Sequence, residues 1–296
     1  MTPRKLLLVF WNQSGFLFEF FGSFTLVFFV LIWILIKFIQ KPKNDKFFTT
    51  LGFTAATFLA FIIPWALSYF TSQSRATPFI NPVNVILQSK LQSFNIRNSE
   101  QVAETYKGTF YLIGGQFAGG LSGFLIFSLL FYLIKRSLLK NEECKENIQT
   151  LQIWDILKVP HNINNSWWKY LIKEFVFISI FVVVVPMINY IENAEYGTNG
   201  IWKLVITLII VWIFLFISSY FGFFAFDIVF NVIAYILFLI EVLYKWNNKN
   251  LKNIKNVIIL EHIKISIVII FTILIPFIYG TIAIEIAKSV KIRLNF

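Results

Sequence analysis

Apolar residues fall in seven long runs along this chain: 15–36, 47–70, 109–134, 171–191, 201–220, 221–243 and 265–286. A helix needs about 20 apolar residues to cross the hydrocarbon core of a bilayer, so each run predicts a helix of spanning length. The fifth and sixth runs join without a polar linker, and only Ser218-Ser219-Tyr220 with Gly222 offers a turn. Either a tight turn joins two spans there, or 221–243 dips part way into the membrane and returns on the same side. A further apolar helix is predicted from Pro82 to about Phe94, too short to span. Asn81 followed by Pro82 is a good helix start, because a capping side chain precedes a residue that lacks an N–H. The intervening segments differ in character. Segment 37–46 is short and basic, and 71–107 is mixed. Segment 135–169 is long and rich in Asn, Lys and Glu, and closes on the interfacial pair Trp167-Trp168. Segment 192–200 is short and acidic, while 244–264 is basic and compatible with an exposed helical extension.

Composition turns these helices into a membrane protein. Hydrophobic residues make up 57% of the 296 residues and charged residues only 14%, against about 25% charged in ordinary soluble domains. The reading is an all-α, multi-pass protein of the cell membrane, with lipid as its surroundings. The net charge of +11 comes from 26 Lys and Arg that lie between the apolar runs. That distribution fits headgroup anchoring and topology, not nucleic-acid binding. Arg4 and Lys5 precede the first run with no small-residue cleavage site after it, so the N-terminus reads as uncleaved. The richness in Phe, Ile, Asn and Lys points to an AT-rich bacterial genome.

Chemistry-bearing residues are sparse. A single Cys144 excludes an internal disulfide or a Cys-rich metal site. His161 and His262 stand far apart without acidic or Cys companions at ligand spacing. Gly114-Gly115 is no phosphate loop, since neither a preceding strand nor a following Lys is present. With no nucleophile–base arrangement, the chain reads as neither an enzyme nor a metal or cofactor protein.

Three segments carry more specific patterns. Glu19-Phe20-Phe21-Gly22-Ser23-Phe24 precedes an aliphatic run in the first apolar stretch. Phe79-Ile80-Asn81-Pro82-Val83-Asn84-Val85 opens the short helix. Gln116, Gly119 and Gly123 place glycines three and seven residues after a Gln. In this order and spacing they resemble the first half of the aquaporin and glycerol-facilitator (major intrinsic protein) superfamily. The resemblance implies six transmembrane helices plus two re-entrant half-helices, arranged as an inverted repeat. The first half would cover 1–136, a polar insertion 137–168 and the second half 169–296. Half-helices that begin inside the bilayer are possible only where their irregular lead-in is buried in protein. The resemblance gives Glu19 the task of bracing the first such loop, with Glu174 as its counterpart. Gly22, Gly119 and Gly123 are helix-packing positions, where small residues let backbones approach.

In the second half, 222–231 takes the place of the second box in altered form. Asp227 stands for Asn, Ile228 for Pro, Val229 for Ala and Phe230 for the selectivity Arg. Pro276 and Gly280 loosely resemble the Gly-Pro…Gly pattern of the family's last span. The implied pore lining is Asn81, Pro82, Val83, Asp227 and Phe230. Asp227 has three readings: a cap for its helix, a charge that lowers the barrier to cations, or a side chain facing another helix. Phe230 suits a hydrophobic gate or a solid plug.

Two functions follow as expectations. The first is a passive channel for water, glycerol or another small neutral solute, a homotetramer by resemblance. The alternative is a non-conducting subunit of a membrane complex, which docks a partner through its basic loops and above all the insertion. Under the family's usual topology, 16 of the 26 Lys and Arg lie outside and 10 inside. Positive residues favour the cytoplasm, so charge leans toward the inverted orientation.

Overall fold

The structure is a computed structural model that describes residues 6–72, 78–92, 106–140, 148–157, 167–190, 200–220, 227–247 and 254–290, a few of them near helix ends by backbone alone. Eight helices dominate. In chain order they are α1 (Gln13–Gln40), α2 (Asp45–Ser72), α3 (Pro82–Gln92), α4 (Thr109–Leu138), α5 (Trp167–Tyr190), α6 (Gly200–Tyr220), α7 (Ile228–Asn247) and α8 (Ile254–Val290). A 3-10 turn, Ile153–Asp155, lies between α4 and α5, and there is no strand among the described residues. Among the described residues, five helices are long and apolar enough to cross a membrane: α1 and α4 entire, and the greater parts of α2, α7 and α8. This is a multi-pass membrane protein.

Local chemistry sets the helix ends. Asn12 caps α1 by accepting from Gly15 N at 2.7 Å. The helix stops at Lys41, whose φ of 44° and N–H bond to the Lys37 carbonyl close it, and Pro42 cannot continue it. α2 turns straight back. Its first residue Asp45 pairs with Lys37 at 2.8 Å, while Trp33 donates to the Phe48 carbonyl and stacks on its ring.

The most extensive packing joins α1 to α4, and glycine makes it possible. A Cβ on Gly115 would come within 2.9 Å of the Phe16 carbonyl oxygen, and one on Gly123 within 2.7 Å of the Phe24 oxygen. One on Gly119 would overlap the Phe20 oxygen. Glycines at every fourth position therefore meet carbonyls at every fourth position, with both helices running in the same direction. Without a hydrophobic force between helices in lipid, such close approach supplies the dispersion contact that holds them. Phe16, Phe20, Phe24 and Phe28 stack successively along α1 with centroids 5.8–6.4 Å apart. In the second half, α5 and α8 also run in parallel, with Tyr170 beneath Lys264 and Phe175 against Phe271.

α3 and α7 are placed crosswise. α3 ends beside the start of α4, where Ser89 and Thr109 hydroxyls bond at 2.9 Å, yet it packs chiefly on α8. There Gly280 accepts the stem of Lys90, whose ammonium lies 4.4 Å above the Phe277 ring. α7 starts against α4, where Gly120 leaves room for Val229. Each short-range start in one half is thus seated on a long helix of the other.

Two regions take a more definite form. Within the apolar run at 221–243, residues 221–226 lie outside the described residues, and the rest belongs to a helix from Ile228 to Asn247, 20 residues long, which nothing breaks before the Asn-rich linker. At 1.5 Å per residue it extends about 30 Å, nearly twice the length of α3. The polar insertion is not wholly an exposed docking element. Leu151, Ile153, Ile156 and Leu157 are buried in the main core, and Ile148 is buried beside them in sequence, while Lys135 ties the segment to α4 through the Leu151 carbonyl at 2.5 Å. Five apolar residues within this polar stretch form an inward face. The flanking parts, with Cys144 and His161, lie outside the described residues.

The glycine register predicts a contrast. Gly119→Ala should lower stability by about 1–3 kcal/mol, since a rigid backbone oxygen must move. Gly114→Ala meets nothing within 4 Å, and should be neutral or stabilising by up to about 1 kcal/mol through helix propensity. Unfolding midpoints of the two variants in detergent check this; equal midpoints would remove the close-packing account.

Candidate functional site

The loop before α3 is irregular backbone in the protein interior. Phe79 and Ile80 make no helical bonds, and Asn81 N donates back to the Phe79 carbonyl at 2.7 Å, closing a three-residue turn. Ile80 sits at its centre with φ of 63°, a left-handed conformation that costs a β-branched residue of order 1–3 kcal/mol. Such a turn persists only if its surroundings hold it. They do so through Glu19, which is 1% exposed. Its carboxylate accepts from Phe79 N at 2.6 Å, from Ile80 N at 3.0 Å and from Gln116 Nε2 at 2.7 Å. The glycine register of α1 and α4 brings Glu19 and Gln116 together, and Gly22 leaves room for Pro78, whose ring a Cβ there would meet at 3.0 Å.

Asn81 then starts α3. Its Oδ1 accepts from Val83 N at 2.9 Å, and its carbonyl accepts from Asn84 N and Val85 N. Asn81 is 7% exposed and Val83 fully buried, with Pro82 also buried.

In the second half Asp227 does the same for α7. Its Oδ1 accepts from Val229 N at 3.0 Å and Phe230 N at 3.3 Å. Its carbonyl accepts from both the backbone and the side chain of Asn231, and Tyr170 reaches the Asn231 Oδ1 at 3.4 Å. Of the three readings of Asp227, capping is realised. A carboxylate at a helix N-terminus is also favoured by the helix dipole. Glu174 is completely buried, but the segment it was expected to brace, 221–226, lies outside the described residues.

Phe230 is 1% exposed and its ring lies 5.8 Å from that of Phe53 on α2. Of the residues expected to line a pore, Asn81, Pro82, Val83 and Phe230 are buried, while Asp227 keeps partial exposure. Reasoning from sequence missed Phe53, because nothing distinguishes it among 36 Phe. It also missed the Tyr170–Asn231 link, although a Tyr one turn before a buried Glu was a usable signal.

Other polar groups pair locally. His262 bonds the Ile258 carbonyl through Nδ1 and the Tyr235 hydroxyl through Nε2, both at 2.7 Å. Glu285 is exposed and pairs with Lys288. Among the described residues, no three His, Cys, Asp or Glu gather as metal ligands. No protein-family model matches the chain, and no curated protein matches it in sequence.

The two caps predict different responses to the same chemistry. Glu19→Gln keeps the size but turns an NH2 group toward backbone N–H donors, leaving a buried donor without an acceptor. The expected loss is about 1–3 kcal/mol. Asp227→Asn replaces one good cap with another and should be nearly neutral. Denaturation midpoints of the two variants compare them, and a neutral Glu19→Gln would mean that the loop does not depend on the carboxylate.

Proposed function

We propose that this chain is an aquaporin-like membrane protein with a closed centre, serving as a non-conducting subunit embedded in the bilayer. In this reading the fold is an inverted repeat of six spans and two half-helices. Several observations support it. The order of long, long, short-start and long helices occurs twice, as α1–α4 and α5–α8. The first and last helices of each half run in parallel. α3 and α7 both begin on a polar N-cap, Asn81 and Asp227, the first beside Glu19 of α1 and the second beside Gly120 of α4. They then run to opposite ends. α3 covers about 16 Å, roughly half the hydrocarbon thickness. α7 is longer, but its last turns carry the Glu241–Lys245 pair, and Leu243 and Tyr244 are well exposed. In this reading α7 is an extended half-helix whose end, at Tyr244, reaches the headgroup level.

The observation that carries the closed reading is the contact between Phe230 and Phe53 at the point where an open pore needs a polar constriction. An apolar ring packed on a second ring, with Val229 filled into Gly120, excludes water from both sides. The family's selectivity Arg is replaced by Phe230, so no fixed cation would remain to balance a solute. The second reading is a channel for water, glycerol or another small neutral solute with this aromatic pair as its gate. It is favoured by Asp227, which keeps partial exposure beside the pair.

Osmotic shrinkage of proteoliposomes, with water, glycerol and urea measured separately, tests both. The closed reading expects wild-type flux equal to that of empty vesicles. It also expects Phe230→Ala to lose about 3–5 kcal/mol of stability without gaining flux. Flux in wild type would replace the closed reading with an open channel, and flux in Phe230→Ala alone would make the pair a gate.

A further inference from the structure

The contacts assign most of the described basic residues to one end of the bundle. α1 and α4 are parallel, so the turn 41–44 after α1 lies at the end where α4 finishes. Lys135, in the last turn of α4, holds the Leu151 carbonyl. Trp154 of the same segment packs on Tyr244 near the end of α7, with centroids 5.1 Å apart. α8 returns antiparallel to α7, as the Tyr235–His262 bond requires. α5 starts beside α8, with Tyr170 beneath Lys264. The opposite end gathers the start of α1, where Tyr111 donates to the Leu6 carbonyl, together with the end of α3, the start of α4 and the end of α8.

Charge divides unevenly between these ends. Among the described residues, the first end holds 12 Lys and Arg against four acidic residues, Asp45, Asp155, Glu241 and Glu261. The opposite end holds Lys90, Lys107, Lys203 and Lys288 with Glu285. Lys41, Lys43, Arg136, Lys140 and Lys169 are exposed. Exposed Trp167, Trp168 and Tyr244 mark the headgroup level at the same end.

We infer that this end is a binding surface for anionic phospholipid headgroups, and that it faces the cytoplasmic leaflet. Cationic side chains near a membrane surface are each attracted to anionic lipid, and the attraction is additive over a cluster and screened by salt. The aromatic side chains place those cations at the depth of the phosphates. The start of α1 and the end of α8 then lie on the side away from the cytoplasm, the reverse of what the resemblance to aquaporins implies. The inference depends on the membrane fold alone, and holds whether or not the centre conducts.

The test uses the purified full-length protein in detergent with added lipid. Phosphatidylglycerol should raise the unfolding midpoint more than phosphatidylcholine does, because a ligand that binds the folded state stabilises it. The increment should fall away in 0.5 M salt, on the order of the concentration at which screening becomes short-ranged. Neutralising Lys41, Lys43, Arg136, Lys140 and Lys169 to Gln should abolish most of the increment, whereas Lys107→Gln with Lys288→Gln should retain it. Equal effects of the two lipids on the wild-type protein would overturn the surface. So would an undiminished increment in the five-site variant. Should that variant fail to fold, the lipid comparison on wild type still decides. A C-terminal reporter tests the side independently: an active alkaline phosphatase fusion is expected, and a fluorescent cytoplasmic fusion would overturn the orientation.

Discussion

Irregular backbone inside a membrane protein must find hydrogen bonds from protein, since lipid offers none. The turn at Phe79 and Ile80 is where this chain meets that constraint, and Glu19 is how it is met. Two backbone N–H groups and one side-chain amide converge on a single carboxylate. The left-handed Ile80 is tolerable because this bracing leaves it no alternative. Everything downstream of the turn, including the position of Asn81 and the direction of α3, follows from that anchoring.

Glu19 in turn depends on how closely α1 and α4 approach. Gly115, Gly119 and Gly123 let the two backbones slide together at successive carbonyls, and that register sets Gln116 beside Glu19. A bulkier residue would separate the helices and stretch the Gln116 bond before it disturbed any apolar packing. Close packing and polar satisfaction are therefore one device, in which glycine geometry delivers an amide to a carboxylate and the carboxylate holds a turn.

The second half reaches a similar helix start by local means. Asp227 caps α7 through its own side chain and carbonyl, and Asn231 one turn on reinforces it. Phe230 can then be an apolar packing residue against Phe53, and Val229 can settle into Gly120. α7 is further steadied at its far end by the buried segment 148–157, through Trp154 and Tyr244. The two helix starts differ in where stability comes from. Long-range bracing dominates at α3, while local capping and added packing dominate at α7.

By itself the sequence determined the membrane character, the rough helix boundaries, and the start of α3. These depend on properties of neighbouring residues: runs of apolar side chains, a capping Asn before a Pro, glycines at fixed spacing. The Glu19 bond to the Phe79–Ile80 backbone was also legible, through the resemblance of three ordered motifs. Tertiary structure alone decided that Phe53 meets Phe230, that Gly120 and Gly280 seat the short helices crosswise, and that an apolar face within the polar insertion turns inward. It decided the length of α7 as well, since an unbroken apolar run is equally consistent with a span or a half-helix. The physical reason is that burial of a particular Phe or Ile in so apolar a chain is set by which helix lies opposite. That information resides in contacts between residues far apart in sequence, not in local pattern.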